Sequence, residues 1–308
     1  MSHWTTKELL RDGATKHDIA RRVATGQLYR LSRGLYTSAR PEGRDALKAI
    51  VHQYPATIFT GHTAAAVYGL GSVSAPATGL VPGDHRSIST PAMTLTRSRQ
   101  RRHRIVDGLP VTTPAATIAA LGRDDLTAVK FLERHYDGLK GADRFAADLR
   151  AMRPEQRAAL DSVLSRAVIG ASSRMERLFI LDLRRKGLDV IPNFRFGPYT
   201  WDGGIPDGTT LFDLDSYRYH GPHKEDMGDM GDMNHRTFVI DRWKSNHAEM
   251  FGWGHLQYTD SCLAYPDTRA HALAEILSLV EHRRSRRHPE AVPGGVNSGV
   301  WTFHGEWG

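Results

Sequence analysis

The pattern of apolar and polar positions at the start of the chain predicts two short helices followed by a hairpin. Thr5 and Glu8 have the spacing of a capping box, in which each side chain satisfies a backbone N–H group of the other residue. Thr15 opens a second helix with apolar residues four positions apart, and residues 27–37 read as strand, turn and strand. Two small helices followed by a basic hairpin is the order of a winged helix, so residues 1–38 are expected to form a DNA-binding winged-helix domain.

This first segment is basic, with seven Lys and Arg side chains against three Asp and Glu side chains. In a winged helix the second helix enters the major groove and the hairpin contacts phosphates, so the basic residues of these elements are the DNA-binding candidates. They are Lys16, Arg21, Arg22, Arg30 and Arg33. The alternative is a solvated helical pair with a hairpin and no nucleic-acid partner.

The next segment, residues 39–165, is expected to form an α/β middle domain. Two helices are predicted, one over about 44–53 and one that Thr60 caps. Strand-like runs follow at 92–96 and 109–113.

Between the two strand-like runs, residues 97–104 contain five arginines among eight residues. Such a density of guanidinium groups is typical of a loop that contacts phosphates, although a solvated hairpin tip explains the same composition. The DNA-binding candidates that the loop adds are Arg99, Arg101 and Arg102. Residues 114–170 are predicted to be helical, with a hinge between halves at 150–154.

A third domain is predicted over residues 166–285, followed by an irregular tail over 286–308. It begins with a helix that Ser173 opens, with Glu176 three positions later. Its other predicted elements are strands at 189–191, 194–196 and 211–215, a polar loop at 221–236, a helix at 237–251, a strand at 252–258 and a helix at 268–285. The whole chain is therefore expected to be an α/β (α+β) multidomain protein, with a mixed sheet flanked by helices in this last domain.

An acidic cluster marks the strand at 211–215. Asp213 and Asp215 lie two positions apart and share one face of the strand, and Asp202 lies shortly upstream. Carboxylates on a buried strand are costly unless a positive charge compensates them, and a divalent cation with oxygen ligands does so. A bound Mg²⁺ or Mn²⁺ is a standard device for phosphodiester hydrolysis, so a metal site is predicted here. Because two ligands of one ion must lie close together, Asp202 and Asp213 are expected on neighbouring strands.

The length, net charge and cysteine content of the chain limit the possible domain number, partners and cellular compartment. The chain has 308 residues, which suggests two or three domains, and its net charge of +7 fits a polyanionic partner. The single cysteine, Cys262, excludes an internal disulfide and fits a reducing compartment. No run is apolar for long enough to span a bilayer, and the N-terminus has no signal-peptide core, so a cytoplasmic protein without a membrane partner is expected.

Ordered sequence blocks over about the first 120 residues carry a resemblance to a known family. The blocks are 9–15, 19–23, 26–36, 61–70 and 108–114. In kind and order they resemble the AbiEi-type antitoxin family of bacterial type IV toxin–antitoxin systems, in which the winged helix binds operator DNA. The resemblance implies double-stranded DNA as a partner, together with a toxin or other protein partner.

The blocks 173–178, 211–220 and 241–256, with Asp202, are similar to the Vsr-like branch of the PD-(D/E)XK endonuclease superfamily. This resemblance implies that Asp202 and Asp213 hold Mg²⁺ or Mn²⁺, with the Leu214 carbonyl as a third ligand.

Three further residues are catalytic candidates, each with a structural alternative. Glu176 holds a second ion or orients water, or it only completes a capping box with Ser173. Asp215 orients a cation or His220, or it forms a helix cap or a surface salt bridge. His220 acts as a general acid or base or contacts phosphate, or it is a hydrogen-bonded histidine at the end of a strand.

This chain departs from the endonuclease pattern at two positions. Asp213 stands where the family usually has Glu, and Ser216 stands where it usually has Gly. No lysine fills the third position of the superfamily pattern, where this branch commonly has Asp, as at Asp215. Two functions therefore stay open: a DNA-binding protein with a metal-dependent endonuclease, in phage defence or a toxin–antitoxin setting, and a non-enzymatic repressor or antitoxin with a degenerate nuclease fold.

Overall fold

The computed structural model describes residues 1–215 and 230–285, with the backbone alone for residues 230–238. Helices and strands are interspersed along this part of the chain, and the strands form three separate sheets. The expectation of a mixed α/β protein is therefore confirmed. Among the described helices, none has the length and hydropathy that crossing a membrane requires.

The chain divides into two compact units. The first comprises Met1–Leu132 and Arg144–Ser165, and the second comprises Glu133–Asp143 and the chain from Arg166 onward. The segment 150–154, expected as a hinge, lies inside the first unit. The finer division of the first unit at residue 38 stays a prediction.

The first unit begins with a three-stranded antiparallel sheet and two helices. The elements are β1 (His3–Thr5), α1 (Thr6–Arg11), α2 (Lys16–Ala24), β2 (Tyr29–Ser32) and β3 (Leu35–Thr37), and the strand order is β1-β3-β2. The two helices and the hairpin confirm the sequence pattern. The first strand, β1, is an addition, because three residues are too few to show an alternating pattern.

Both predicted helix starts are capping boxes. The Thr5 hydroxyl accepts from the Glu8 N–H group, and the Glu8 carboxylate accepts from the Thr5 N–H group at 2.7 Å. Thr15 and Asp18 repeat the arrangement at the start of α2. These bonds satisfy N–H groups that have no partner within a helix, so local sequence alone fixes where the two helices begin.

The rest of the first unit is a six-stranded sheet with helices. The elements are α3 (Gly43–Gln53), β4 (Ile58–Phe59), α4 (Gly61–Val67), β5 (Ala77–Val81), β6 (Ile88–Ser89), β7 (Met93–Arg97), β8 (His103–Val106) and β9 (Leu109–Thr112), with the strand order β6-β7-β5-β4-β9-β8. Thr60 precedes α4 as predicted, but its side chain makes no cap hydrogen bond. Because β7 and β8 are not neighbours, the arginine-rich segment between them is not a hairpin tip, and that alternative is wrong.

The helical stretch predicted over 114–170 is confirmed up to Leu164, and residues 165–170 are not helical. It consists of α5 (Pro114–Leu121), α6 (Leu126–His135), α7 (Gly138–Arg150), α8 (Pro154–Ala158) and α9 (Asp161–Leu164). Thr113 caps α5 through its hydroxyl, and Pro114 occupies the first helical position, where its missing N–H group costs nothing.

The second unit holds a four-stranded mixed sheet. The elements are α10 (Arg174–Arg185), β10 (Ile191–Phe196), β11 (Tyr199–Ile205), β12 (Thr210–Asp215), α11 (Met230–Met250), β13 (Gly254–Thr259), α12 (Asp260–Ala264) and α13 (Pro266–Ser285). The strand order is β10-β11-β12-β13, with antiparallel pairs except for the parallel pair of β12 and β13.

Two predicted boundaries in this unit are wrong. The strands expected at 189–191 and 194–196 form one strand, β10. The helix expected to begin at about residue 237 begins at Met230, so the last part of the polar 221–236 segment is helical. The rest of that segment and the predicted tail over 286–308 lie outside the described residues.

Close packing fixes the strand that carries Asp202. A Cβ atom built on Gly203 would lie 2.0 Å from the ring of Phe212, and one built on Gly204 would lie 2.3 Å from the ring of Phe194. Both distances are far below van der Waals contact, so only glycine lets β11 approach the two rings. On the other side of the core, α10 packs Phe179 against Phe212. The position of β11 therefore depends on these glycines.

Candidate active site

Asp202 and Asp213 lie on the antiparallel strands β11 and β12. The ladder pairs Gly203 with Phe212, so the next position along brings the two aspartates opposite each other. The Asp202 N–H group donates to Asp213 Oδ1 at 3.2 Å, and the Leu214 N–H group donates to Asp202 Oδ2 at 2.7 Å. Each carboxylate is thus anchored to the neighbouring strand, and the predicted placement on adjacent strands is confirmed.

Asp213 also contacts two side chains, Lys244 and His255, that were not among the predicted site residues. Its Oδ2 atom lies 2.8 Å from the Lys244 ammonium and 3.1 Å from His255 Nε2. Lys244 belongs to α11, and His255 belongs to β13, which runs parallel to β12. The Ser245 hydroxyl lies 3.2 Å from His255 Nδ1 and orients the imidazole ring. Side chains from a helix and a neighbouring strand therefore converge on one buried carboxylate.

The two aspartates differ in their electrostatic surroundings. Burial opposes the ionisation of Asp213, but the hydrogen bond with His255 and the charge of Lys244 outweigh it and hold the pKa of Asp213 below its ordinary value. Burial, together with the negative charges of Asp213 and Glu176, raises the pKa of Asp202 to about 7. Near neutral pH the pair therefore has one firmly ionised carboxylate and one that is partly protonated.

Lys244 is held in place by an aromatic ring as well as by Asp213. Its ammonium lies 5.3 Å from the centre of the Trp201 ring, which is fully buried. A cation over an indole face is attracted by the ring quadrupole. The ammonium that the acidic strand lacks is thus supplied by a helix. A sequence motif confined to the acidic strand does not reveal this lysine, because it belongs to a different element.

Glu176 is buried at the start of α10 and makes only one of the two hydrogen bonds of a capping box. The Ser173 hydroxyl accepts from the Glu176 N–H group at 3.0 Å, as in a capping box. The Glu176 carboxylate, however, accepts from the Ser172 N–H group at 2.8 Å. Its negative charge also contributes to the raised pKa of Asp202, so a helix-start residue acts electrostatically on the candidate site.

The remaining two candidates are less well defined. Asp215 ends β12, pairs in register with Thr259 and is half-buried. Because Asp213 and Asp215 are two positions apart on one strand, they share a face of the sheet. The roles predicted for Asp215 stay predictions. His220 lies outside the described residues.

The donor set of Asp202 and Asp213 fits a hard divalent cation. Carboxylate and carbonyl oxygens are the ligands that Mg²⁺ and Mn²⁺ prefer, and Mg²⁺ is commonly held by only one or two carboxylates with waters completing its shell. The raised pKa of Asp202 indicates that two ionised carboxylates here need additional positive charge. In the part of the chain that the structure describes, no group of three or more His, Cys, Asp or Glu side chains is arranged to hold a metal.

The basic candidates near the N-terminus all lie on the surface. Lys16, Arg21, Arg22, Arg30 and Arg33 are exposed. The tip of the β2–β3 hairpin is fixed to α3, because the Ser32 hydroxyl donates to Gln53 Oε1 at 3.2 Å and Gln53 Nε2 donates to the Arg33 carbonyl at 3.1 Å. The hairpin therefore presents Arg33 from a supported turn.

Several arginines of the arginine-rich segment form contacts within the protein and stabilise the fold. Arg101 donates to the Ala56 carbonyl at 2.7 Å, and Arg102 and Arg104 both pair with the buried carboxylate of Asp148. Arg99 is exposed and forms no ion pair within the described residues. Two of the three candidates in this segment, Arg101 and Arg102, are therefore engaged with the protein itself.

In comparisons with known proteins, no protein-family model and no curated protein matches the chain. The functional assignment therefore depends on the residues and contacts described above.

Proposed function

We propose that the second unit is a metal-dependent phosphodiester hydrolase and that the protein brings it to double-stranded DNA through the N-terminal winged helix. The observation that supports the enzymatic part most directly is the pairing of Asp202 and Asp213 on adjacent strands, with Lys244 held against Asp213. Two carboxylates with a neighbouring ammonium match the pattern of the PD-(D/E)XK superfamily as a whole, although here the ammonium comes from α11.

Each residue of this set has a definable task. Asp202 and Asp213 would hold Mg²⁺ or Mn²⁺, which when bound polarises the scissile phosphate and lowers the pKa of a water molecule. Asp213 stays ionised because Lys244 and His255 stabilise its negative charge. Lys244 is also available to neutralise charge on the phosphate. Glu176 would orient water through its position beside Asp202, while Asp215 and His220 keep the catalytic roles predicted from the sequence.

The basic N-terminal surface supports DNA as the substrate. Lys16, Arg21, Arg22, Arg30 and Arg33 are all exposed on the helices and hairpin. Neutralising phosphates releases counterions and provides sequence-independent affinity. A cytoplasmic setting in phage defence or in a toxin–antitoxin system, with a toxin or other protein partner, accords with the AbiEi-type resemblance and with the single cysteine.

The test is cleavage of plasmid and oligonucleotide substrates in the presence of Mg²⁺, Mn²⁺ or EDTA. We expect cleavage with a divalent ion and none with EDTA. Replacing Asp213 with the glutamate usual in the family should keep or raise activity, because the longer side chain reaches the ion from the same strand position. A wild type that is inert with both ions, while Asp213→Glu cleaves, would identify a decayed nuclease.

A non-enzymatic repressor or antitoxin is the second candidate, and one observation favours it. Protein groups already satisfy Asp213 on both oxygens, since Asp202 N–H contacts Oδ1 and Lys244 and His255 contact Oδ2. Such a network stabilises a fold without an ion. If wild type and Asp213→Glu are both inert, and neither ion binds in calorimetry, this second function replaces the first.

A further inference from the structure

The first unit contains a cavity whose chemistry is independent of the acidic site. Its volume is about 800 Å³, which is within the range of pockets that bind cofactors and other small molecules. It lies beside the end of β7 and one face of α5, and α8 contributes to its wall. All of its lining residues belong to the first unit.

One side of this cavity is positively charged. Arg97, Arg99 and Arg153 line it, and none of the lining residues has a carboxylate. Arg153 pairs with Glu155 at 3.2 Å, outside the lining. Within the described residues, Arg97 and Arg99 have no ion-pair partner, in contrast to Arg102 and Arg104, which pair with Asp148. Guanidinium groups gathered without counter-charges in a concave site are suited to phosphate groups.

The cavity also has an apolar wall, to which α5 contributes three alanines. Ala116, Ala119 and Ala120 occupy one face of α5, because positions three and four apart lie together on a helix. Their side chains are too small to fill the space above the helix. Gln100 and Gln156 also line the cavity, and Gln100 Oε1 accepts from the Gln156 amide at 3.0 Å. The amide bridge fixes the loop that carries Arg99 to α8.

We propose that this cavity binds a nucleotide with two or more phosphates. The phosphates lie at Arg97 and Arg99, and the planar base lies on the alanine face of α5. Inorganic phosphate or pyrophosphate can contact only the arginines. A nucleotide can in addition place its base on the apolar face, so it should bind more tightly. The nucleotide is either a free molecule or the 5′-phosphorylated end of a nucleic-acid strand, because the 5′-phosphate and the first phosphodiester of such an end also place two phosphate groups beside one base.

The experiment is calorimetric titration of the full chain with ATP, AMP, adenosine and inorganic pyrophosphate. EDTA is present throughout, so that the metal chemistry of the second unit does not contribute. We expect one ATP per chain, weaker binding of AMP and pyrophosphate, and no binding of adenosine. Equal affinity for pyrophosphate and ATP would contradict the proposed base site, and absence of ATP binding up to millimolar concentration would overturn the proposal.

Two variants locate the binding in the cavity. Arg97→Gln with Arg99→Gln should weaken ATP binding roughly a hundredfold, since each charge-assisted contact contributes about tenfold. Arg123→Gln with Arg144→Gln makes the same change in net charge outside the lining and should leave the affinity unchanged. Ala120→Phe, at an exposed position of the apolar face, should block the base while leaving the fold intact. Equal losses in both double variants would indicate non-specific attraction to a basic protein and would overturn the assignment.

Competition distinguishes the two sources of the nucleotide. A single-stranded oligonucleotide with a 5′-phosphate displaces ATP if the cavity receives strand ends, and it fails to do so if the cavity takes the free nucleotide. The same oligonucleotide without a 5′-phosphate should not compete in either case. If it competes equally well, Arg97 and Arg99 belong to an extended DNA-binding surface and the cavity has no nucleotide site. Failure of this proposal leaves the nuclease proposal untouched, because the two use different units.

Discussion

Lys244 lies 2.8 Å from Asp213 although the two residues belong to elements far apart in the chain. Their side chains are 13% and 7% exposed, so the ion pair is largely removed from water. Breaking a buried pair leaves an uncompensated charge, which typically costs about 3–5 kcal/mol. This ion pair, together with His255, therefore holds Asp213 in its ionised form, and we expect it to contribute to the stability of the second unit.

Replacing Lys244 with methionine should destabilise the second unit by about 3 kcal/mol or more, because Asp213 loses its ammonium partner. Denaturant unfolding of the full chain measures the change. Lys186→Met, at an exposed position after α10, is the matched control and should shift stability by less than about 0.5 kcal/mol. Equal effects of the two substitutions would show that the ion pair contributes nothing measurable.

Asp202 should give the unfolding free energy a distinctive dependence on pH in EDTA. Its folded pKa of about 7 is above the ordinary value, owing first to burial and then to Asp213 and Glu176, with Lys244 opposing. The folded state therefore binds more protons than the unfolded state between about pH 4 and pH 7, so this residue lowers stability as pH rises through that window and has no further effect above it. The shift of about three pKa units corresponds to a full effect of about 4 kcal/mol.

Asp202→Asn removes this titration, so the difference in unfolding free energy between the variant and wild type should move in favour of the variant as pH rises from 4 to 7. Parallel denaturant titrations at several pH values measure the difference. Asp189→Asn, an exposed aspartate of the same unit, should show no such trend. A pH-independent difference for Asp202→Asn would contradict the raised pKa.

Gly203→Ala tests the packing that positions the acidic strand. A Cβ atom there would meet the Phe212 ring at 2.0 Å, so the strand or the ring must move, at a cost of about 1–3 kcal/mol or more. Gly83→Ala is the control, since a Cβ atom on Gly83 meets nothing within 4 Å. Thermal unfolding should separate the two variants by several degrees. Similar melting temperatures would show that β11 is not held by this contact.

DNA binding should depend on the exposed arginines of α2. Replacing Arg21 and Arg22 together with glutamine should weaken duplex binding and reduce the slope of log K against log salt by roughly two units. Fluorescence anisotropy over a salt series measures the slope, with Arg123→Gln plus Arg144→Gln as the charge-matched control. An unchanged slope would move the DNA contact elsewhere, first to the exposed Arg99.

Local sequence signals predicted the elements well and long-range pairings poorly. Thr5 with Glu8 and Thr15 with its helix are defined within four residues, and the structure confirms both starts. The two aspartates were predicted on neighbouring strands because two ligands of one ion must lie close together, and the structure confirms this placement. The strand order that separates β7 from β8 was not predictable, since it depends on pairings with β5 and β9.

Some residues of the candidate site could be predicted from local sequence, and others could not. Asp202 and Asp213 could be predicted as site residues because acidic side chains are unusual within an apolar, strand-like sequence. Lys244 and His255 lie within the block 241–256 of the endonuclease resemblance, but neither was predicted as a site residue, because a lysine in a helix and a histidine in a strand are ordinary on their own. Only the parallel pairing of β12 with β13 and the position of α11 bring them to Asp213. The charge balance of the site is therefore a tertiary property.

The most direct test of the central claim is Mn²⁺-dependent cleavage of a supercoiled plasmid by wild type, Asp202→Asn and Asp189→Asn, measured with enzyme in excess. We expect wild type and Asp189→Asn to cleave at the same rate and Asp202→Asn to lose at least a hundredfold, since one of two carboxylates that hold the ion loses its charge. Equal rates for all three proteins, or no cleavage by the folded wild type with either ion, would contradict the claim that Asp202 and Asp213 form a hydrolytic centre.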